Sequence, residues 1–297
     1  MYQNVYYEKE KNIIHCWDDE KGYYTSKYRR YAYVRDGNGA HQSIHGERLK
    51  KLTWWKAEDD LQLYESDVNE VTRFLIDNYG DSDESSVGHT VLTFDIEVEM
   101  LSGLPDIDKA GNEITAIAGH DSVTNDYFVY VVNKGEKINK TIKGAQVESF
   151  DSEDELLTAF LNKWQEINPS IVTGWNIDYF DVTYLYNRLK NRFGERLANK
   201  LSPIGKVHWN KYRKRYIIAG VSALDYLALY KCYTYTELPN YRLDTVATTE
   251  LGRGKIEYEG NLDQLFRDDI EKFIEYNLVD VELVVDMDKK LQFIDLA

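Results

Sequence analysis

The chain has 297 residues, of which 43% are hydrophobic and 13% aromatic, a composition typical of a folded globular protein with one or two domains. Its formal net charge of -15 at pH 7 argues against a protein that coats nucleic acid through a generally basic surface. The two cysteines, Cys16 and Cys232, are too few for a disulfide framework or a cysteine-based zinc site. No apolar run approaches the roughly 20 residues that span a bilayer, so we expect a soluble, cytoplasmic protein without a membrane partner.

The first part of the chain has the pattern of short strands and hairpins, followed by one helix. Aromatic and charged residues alternate up to about residue 55, with turn signals between them. A capping box formed by Asp67 and Glu70 predicts a helix that ends near Gly80. The acidic, Ser-rich stretch 81–88 then predicts a linker.

After the linker, strands come first and then alternate with helices. The apolar patterns predict strands at 91–98, 114–118, 127–132 and 171–173, and helices at about 152–167, 181–190 and 268–290. This order predicts a mixed sheet with helices packed on it. We therefore predict two domains, a smaller α+β domain over residues 1–89 and a larger domain over residues 90–297.

Three short motifs together supply four carboxylates and one tyrosine. In the first strand after the linker, alternate side chains share a face, so Asp95 and Glu97 point the same way. Asp181 follows a buried strand and opens a helix, and Tyr276 and Asp280 lie one turn apart on the last helix. Taken singly, a solvated strand face, a helix cap and an exposed helix surface would explain these residues.

The combination and order of the motifs are more specific than any one of them. Asp-x-Glu, Asn-x-x-x-Phe-Asp and Tyr-x-x-x-Asp resemble the three exonuclease motifs of proofreading nucleases with a ribonuclease-H-like fold. With the supporting stretches 115–122, 173–176, 186–188, 224–226 and 291–294, the chain is similar to the N-terminal and 3′-to-5′ exonuclease region of family B DNA polymerases of the T-even bacteriophage type. The resemblance implies an α+β and α/β fold, with a ribonuclease-H-like mixed-sheet exonuclease domain, and action in the cytoplasm of an infected bacterium.

The chemistry of such a site needs clustered carboxylates and divalent cations. Two like charges about 4 Å apart repel by roughly 4 kcal/mol at an effective dielectric constant of about 20, so the cluster needs cations such as Mg²⁺ or Mn²⁺. Two such ions stabilise the attacking and leaving oxygens of a displacement at phosphorus. The resemblance implies that Asp95 bridges two ions, that Glu97 and Asp280 complete one site, and that Asp181 supports the other. By the same resemblance, Tyr276 orients the attacking water, and a nucleoside 5′-monophosphate is released.

A local basic patch could bind DNA despite the overall charge. Ten lysines and arginines, against one glutamate, lie between residues 188 and 215. The densest part predicts a β-hairpin whose basic tip carries Arg213, Lys214 and Arg215. A solvated loop is the alternative, because runs of charge are usually solvated.

The resemblance also implies contacts to the end of the DNA. Leu104 matches the position of an apolar wedge, and Asn176 and Phe180 would contact the last nucleotide. For Phe180, packing in the core is the alternative. The expected substrate is single-stranded or frayed primer–template DNA.

The leading interpretation is a monomeric, metal-dependent 3′-to-5′ exonuclease that acts beside polymerase palm, fingers and thumb domains on a missing part or another chain. The stretch 79–83 echoes a polymerase motif, but it precedes the exonuclease motifs and has no Ser-Leu-Tyr-Pro-Ser partner, so we expect no polymerisation. A second interpretation is a non-catalytic nucleic-acid-binding or polymerase-docking module. Such a module would gain nothing from four clustered carboxylates. A third is a stand-alone exonuclease acting on RNA.

Overall fold

The chain forms two compact units, Met1–Gly88 and His89–Ala297. The computed structural model describes residues 1–56, 61–100, 103–135, 137–235 and 237–297. Among these residues, no helix combines the length and the apolar character needed to cross a membrane.

In the part of the first unit that the structure describes, there are two small antiparallel sheets and one helix. Its strands are β1 (Tyr2–Glu8), β2 (Ile13–Asp18), β3 (Gly22–Lys27), β4 (Ala32–Arg35), β5 (His41–Gln42) and β6 (Arg48–Leu52), and its helix is α1 (Glu70–Tyr79). The sheets have the strand orders β1-β2-β3 and β4-β6-β5. Ile14, Cys16, Tyr28 and Phe74 form the buried core between the first sheet and α1.

The start of α1 differs from the predicted one. The N-cap is Asn69, whose side chain accepts a hydrogen bond from the backbone N–H of Thr72 at 2.9 Å. Asp67 lies two residues earlier and does not cap the helix, so the predicted capping box is wrong. Both residue types are good N-caps, so the residue types alone do not fix where the helix starts. Phe74 on this helix packs into the core.

The second unit is built on a larger sheet. Its strands are β7 (Val91–Val98), β8 (Ile114–Asp121), β9 (Asp126–Val132), β10 (Asn139–Ile142), β11 (Ala145–Phe150), β12 (Ile171–Gly174), β13 (Val207–Asn210), β14 (Arg215–Ile218) and β15 (Ser222–Asp225). Its helices are α2 (Glu153–Ile167), α3 (Asp181–Phe193), α4 (Glu195–Ala198), α5 (Tyr226–Tyr233), α6 (Leu243–Leu251), α7 (Leu262–Asp268), α8 (Ile270–Leu291) and α9 (Phe293–Leu296). A single 3₁₀ turn, Asn199–Leu201, follows α4.

Seven strands form the main sheet in the order β10-β11-β9-β8-β7-β12-β15. β7, β8 and β9 are antiparallel neighbours, whereas β12 runs parallel to both β7 and β15. The predicted mixed sheet and the fold class are therefore confirmed.

Helices cover both faces of this sheet and decide where polar side chains can lie. All eight residues of β8 are buried, because Ile117 faces the core shared with α2 and α3 while Ala116 and Ala118 face α8. Asp95 pairs with Ala118 and Glu97 with Ala116, so both carboxylates lie on the α8 side. The small alanines leave room there for charged side chains.

Two predicted helix starts can be compared with the structure: the start of α2 agrees, and the start of α8 lies two residues later than predicted. Ser152 caps α2 by accepting from the backbone N–H of Glu155, as predicted. The helix predicted from residue 268 instead begins at Ile270, because Asp269 ends α7 and caps α8 by accepting from Lys272 N at 3.0 Å.

Candidate active site

Three of the four predicted carboxylates meet between β7 and α8. One oxygen each from Asp95, Glu97 and Asp280 lies within 4.8 Å of the others. Asp280 is buried, with 4% of its surface exposed, and its Oδ1 atom has no hydrogen-bond partner among the described residues. The cluster is therefore a set of oxygen ligands with an unused buried acceptor, which suits a divalent cation.

The fourth carboxylate, Asp181, reaches the same place from the start of α3. Its Oδ1 accepts a hydrogen bond from the backbone N–H of Ile96 at 3.1 Å, so the side chain is directed to β7. Gly174, the last residue of β12, allows the main chain before α3 to lie close to β7, because a Cβ at that position would lie 2.5 Å from the carbonyl oxygen of Phe94. Asp181 is not one of the three carboxylates within 4.8 Å of one another, but its charge adds to the effect of burial in raising the pKa of Asp95.

Tyr276 and Asp280 lie one turn apart on α8, as predicted, and Lys255 contacts both. Lys255 Nζ donates to Asp280 Oδ2 at 2.5 Å and to the Tyr276 hydroxyl oxygen at 3.1 Å. Lys255 was not predicted from the sequence. It lies between α6 and α7 in a segment without a motif, and only the packing of that segment against α8 brings it to the cluster.

Asn277 is the second site residue that was not predicted from the sequence. It is fully buried, and its Nδ2 donates to Asp95 Oδ2 at 2.8 Å. A signal was present, because Asn277 falls on the same helical face as the apolar Phe273, Ile274 and Val281. A polar residue on the buried stripe of a helix needs a partner, and here the partner is a carboxylate of β7.

Burial and mutual repulsion shift the protonation of the four carboxylates in the same direction. Burial, reinforced by the neighbouring carboxylates, raises the pKa of Asp95 well above its ordinary value and that of Glu97 to about 8. Burial also raises the pKa of Asp181 to about 7, against the effect of its bond to Ile96 N, and raises the pKa of Asp280. At neutral pH the cluster therefore holds either protons or bound cations.

Lys255 and Tyr276 remain in their ordinary protonation states. Burial alone would lower the pKa of Lys255, but Asp280, Tyr276 and Asp95 together raise it above its usual value. Burial and then the charge of Asp280 raise the pKa of Tyr276. The phenol is therefore protonated at neutral pH, and because its oxygen accepts from Lys255, its own hydrogen is free to bond another acceptor.

The predicted DNA-contact residues lie in different environments. Asn176, in the left-handed region with φ 65°, lines a cavity of about 860 Å³ together with Trp175, Lys255 and Tyr276. Phe180 is half-buried and stacks on Tyr184 with 5.5 Å between the ring centroids. Leu104 is 89% exposed, whereas residues 101 and 102 of the predicted wedge segment lie outside the described residues.

The predicted basic hairpin is present. β13 and β14 pair in antiparallel register from Val207 with Ile218 to Asn210 with Arg215. Arg213 and Lys214 lie in the exposed loop, but Arg215 donates from Nη1 to Asp178 Oδ2. The contact of these three residues with DNA stays a prediction.

The comparisons with known proteins agree with this geometry. The family model for the exonuclease domain of DNA polymerase family B matches residues 81–246. The chain belongs to this family. It is 37% identical to the DNA-directed DNA polymerase of Escherichia phage RB69, with 97% of this chain and 34% of that protein covered. It is 35% identical to the DNA-directed DNA polymerase of Enterobacteria phage T4, with 96% and 36% covered, and 28% identical to DNA polymerase 1 of Saccharolobus solfataricus, with 80% and 24% covered.

The chain spans about a third of the length of the two phage polymerases. The predicted resemblance to phage family B polymerases is confirmed, and the enzyme class that family B membership implies is a 3′-to-5′ exonuclease. The matched range contains the motifs at Asp95 and Asp181, while Tyr276 and Asp280 follow it.

Proposed function

We propose that this chain is the proofreading exonuclease part of a phage replicative DNA polymerase, which hydrolyses the 3′-terminal phosphodiester of single-stranded or frayed primer–template DNA. The observation that carries the proposal is the meeting of Asp95, Glu97 and Asp280 within 4.8 Å, with Asp181 beside them, in a family B exonuclease fold.

The four carboxylates fit two divalent cations. Asp95, Glu97 and Asp280 would hold one ion, and Asp95 with Asp181 the other, since hard oxygen ligands select Mg²⁺ or Mn²⁺. When bound, such ions lower the pKa of the attacking water and stabilise the charge on the attacking and leaving oxygens.

The protein's own side chains position the reacting groups. Asn277 fixes the orientation of the Asp95 carboxylate, and Lys255 fixes Asp280 and the oxygen of Tyr276. The hydroxyl hydrogen of Tyr276 then orients the attacking water by a hydrogen bond, because a phenol with a raised pKa cannot act as a base at neutral pH. The products are a shortened strand with a free 3′ hydroxyl and a nucleoside 5′-monophosphate.

The end of the DNA would approach from the side of the loop between β12 and α3. Asn176 and Phe180 would contact the last nucleotide, Leu104 would wedge against the bases, and the basic tip at Arg213 and Lys214 would bind phosphates. Residues 1–89 would form the N-terminal domain of the polymerase and residues 90–297 the exonuclease domain. We propose that the monomeric chain works beside palm, fingers and thumb domains in the cytoplasm of the infected bacterium.

Incubation of the chain with a 5′-labelled single-stranded DNA tests this function. In Mg²⁺ we expect a ladder of products shortened one nucleotide at a time from the 3′ end, with release of nucleoside 5′-monophosphates and no products in EDTA. If neither Mg²⁺ nor Mn²⁺ gave shortening while DNA binding persisted, the enzyme proposal would be wrong and a non-catalytic binding or docking module would remain.

Lys255→Met should lower the single-turnover rate by about 10–100-fold, the loss typical of removing a group that orients metal ligands. The physical reason is the loss of the two hydrogen bonds that fix Asp280 and Tyr276. Lys163→Met is the matched control, since Lys163 is 26% exposed against 29% for Lys255 and pairs with Glu166 on α2. Equal losses in the two variants would contradict a role of Lys255 in the site.

A further inference from the structure

We propose that the Asp178–Arg215 ion pair positions the loop between β12 and α3, and that Arg215 therefore serves the active site through Asp178 rather than through DNA. This inference rests on the proposed function. It concerns a contact that joins the β13–β14 hairpin to the loop that carries Asn176 and Phe180 and leads into α3 at Asp181.

Arg215 differs from its basic neighbours in where its charge lies. It is the first residue of β14, paired in register with Asn210, and its side chain is 23% exposed. Arg213 and Lys214 lie on the exposed loop, whereas the Arg215 guanidinium turns back to an Asp178 carboxylate that is itself 19% exposed. A guanidinium committed to a shielded carboxylate is a poor phosphate ligand, because binding DNA would break the pair.

Asp178 is held from three directions. Its backbone N–H donates to Asp225 Oδ2 at 3.3 Å, at the end of β15, and its carbonyl oxygen accepts from Thr183 Oγ1 at 3.0 Å, on α3. The sheet and the helix thus fix the main chain, while Arg215 of the hairpin fixes the side chain. Asp178 lies two residues after Asn176 and three before Asp181, so its position constrains both.

Arg215 compensates the charge of the shielded Asp178 carboxylate. Burial, and then the charge of Asp225, raise the pKa of Asp178, while Arg215 and more weakly Arg213 oppose this. Asp178 Oδ1 and Arg215 Nε also have no hydrogen-bond partner among the described residues. Without Arg215, the shielded carboxylate would either take up a proton or move towards solvent, and in both cases the side chain loses the bond that holds it to the hairpin.

The hairpin itself is firmly attached and can act as an anchor. The Tyr216 hydroxyl donates to Asn187 Oδ1 at 2.7 Å, and its ring packs on Tyr186 with 4.2 Å between centroids. Both partners lie on α3, the helix that Asp181 begins. The hairpin is therefore fixed to α3 at one point and to the loop before α3 at another, so the Asp178–Arg215 pair sets the angle at which the loop enters the helix.

The two possible roles of Arg215 predict opposite effects of Asp178→Asn. If Arg215 is a phosphate ligand, the substitution frees it and DNA binds more tightly. If the pair positions the loop, Asp178→Asn and Arg215→Gln have the same defect, seen chiefly in the rate of cleavage, because the phosphate contacts proposed for Arg213 and Lys214 dominate the affinity for a long single strand.

The experiment compares Asp178→Asn, Arg215→Gln and the double variant in three measurements. These are the dissociation constant for single-stranded DNA in EDTA at several salt concentrations, the single-turnover rate in Mg²⁺, and thermal unfolding. We expect each single variant to lose about 10-fold in rate with the dissociation constant within twofold, and the double variant to be no slower than either single variant. Arg215→Lys should recover part of the rate, and Arg213→Gln should weaken binding and reduce the salt slope. Lys137→Gln is the control, because it removes an exposed lysine that pairs with Asp151, and it should match the wild type.

Three results would overturn the inference: tighter DNA binding by Asp178→Asn, a reduced salt slope in Arg215→Gln, or additive losses in the double variant. Failure of the proposed function looks different, because the wild type itself would then not cut. In that case the unfolding temperatures of the wild type, the two single variants and the double variant still show whether Asp178 and Arg215 interact. Coupled residues give non-additive changes in unfolding temperature, and independent residues give additive changes.

Discussion

Replacement of both Asp95 and Glu97 by alanine is expected to lower the rate of DNA shortening by on the order of 10³-fold or more. The two side chains supply two of the three carboxylates that meet within 4.8 Å, so the variant loses the means to hold a cation beside Asp280. Metal ions contribute several kcal/mol to stabilising such transition states, and each 1.4 kcal/mol is about tenfold in rate.

A single-turnover assay with 5′-labelled DNA measures this loss, and two controls make it specific. Glu148→Ala removes an exposed carboxylate from β11 of the same sheet and should leave the rate unchanged. Thermal unfolding should show that the double variant is folded, because the relief of repulsion between buried carboxylates offsets the loss of the Asn277–Asp95 hydrogen bond. A rate within tenfold of the wild type would rule out these carboxylates as the catalytic metal ligands.

Glu97→Gln is expected to raise the unfolding temperature of the metal-free protein at pH 8 by at least about 2–4 °C, the change that 1 kcal/mol produces in a domain of this size. The pKa of Glu97 is about 8 in the folded protein and that of Asp181 about 7, both above their ordinary values. The folded state thus binds more protons than the unfolded state between about pH 4 and pH 8, and the free energy of unfolding falls as the pH rises through that range.

Calorimetry at pH 5 and pH 8, in EDTA and in Mg²⁺, checks this prediction. In EDTA the wild type should lose stability from pH 5 to pH 8, and Glu97→Gln should lose less. At a Mg²⁺ concentration 100 times the dissociation constant of Mg²⁺, binding raises the free energy of unfolding by about 2.7 kcal/mol. At a fixed Mg²⁺ concentration, the wild type should be stabilised more at pH 8 than at pH 5, and Glu97→Gln should be stabilised less than the wild type. A lower unfolding temperature for Glu97→Gln at pH 8 would contradict the account of a site under electrostatic strain.

The parts of the site that follow local rules were predictable from the sequence. Strand alternation placed Asp95 and Glu97 on one face, and helical spacing placed Tyr276 and Asp280 together, because both depend on the geometry of a single element. The mixed sheet followed from the order of strand and helix patterns.

The parts that depend on long-range packing were not predictable. Lys255 has no local pattern that ties it to Asp280, and Arg215 had the sequence context of a solvated charge run although it pairs with Asp178. The choice of Asn69 over Asp67 as N-cap could not be predicted either, because both residue types are good N-caps. In each case the competing local choices are close in energy, and tertiary contacts decide between them.

The hydrogen bond between Asn277 and Asp95 joins residues separated by 182 positions along the chain. During synthesis, β7 leaves the ribosome long before α8 does, so the early carboxylates have neither Asn277 nor Asp280 beside them. The carboxylate cluster is thus completed only after α8 has been made and has docked on the sheet. Until then the nascent chain has three of the four carboxylates that we propose as metal ligands, and it lacks Asp280.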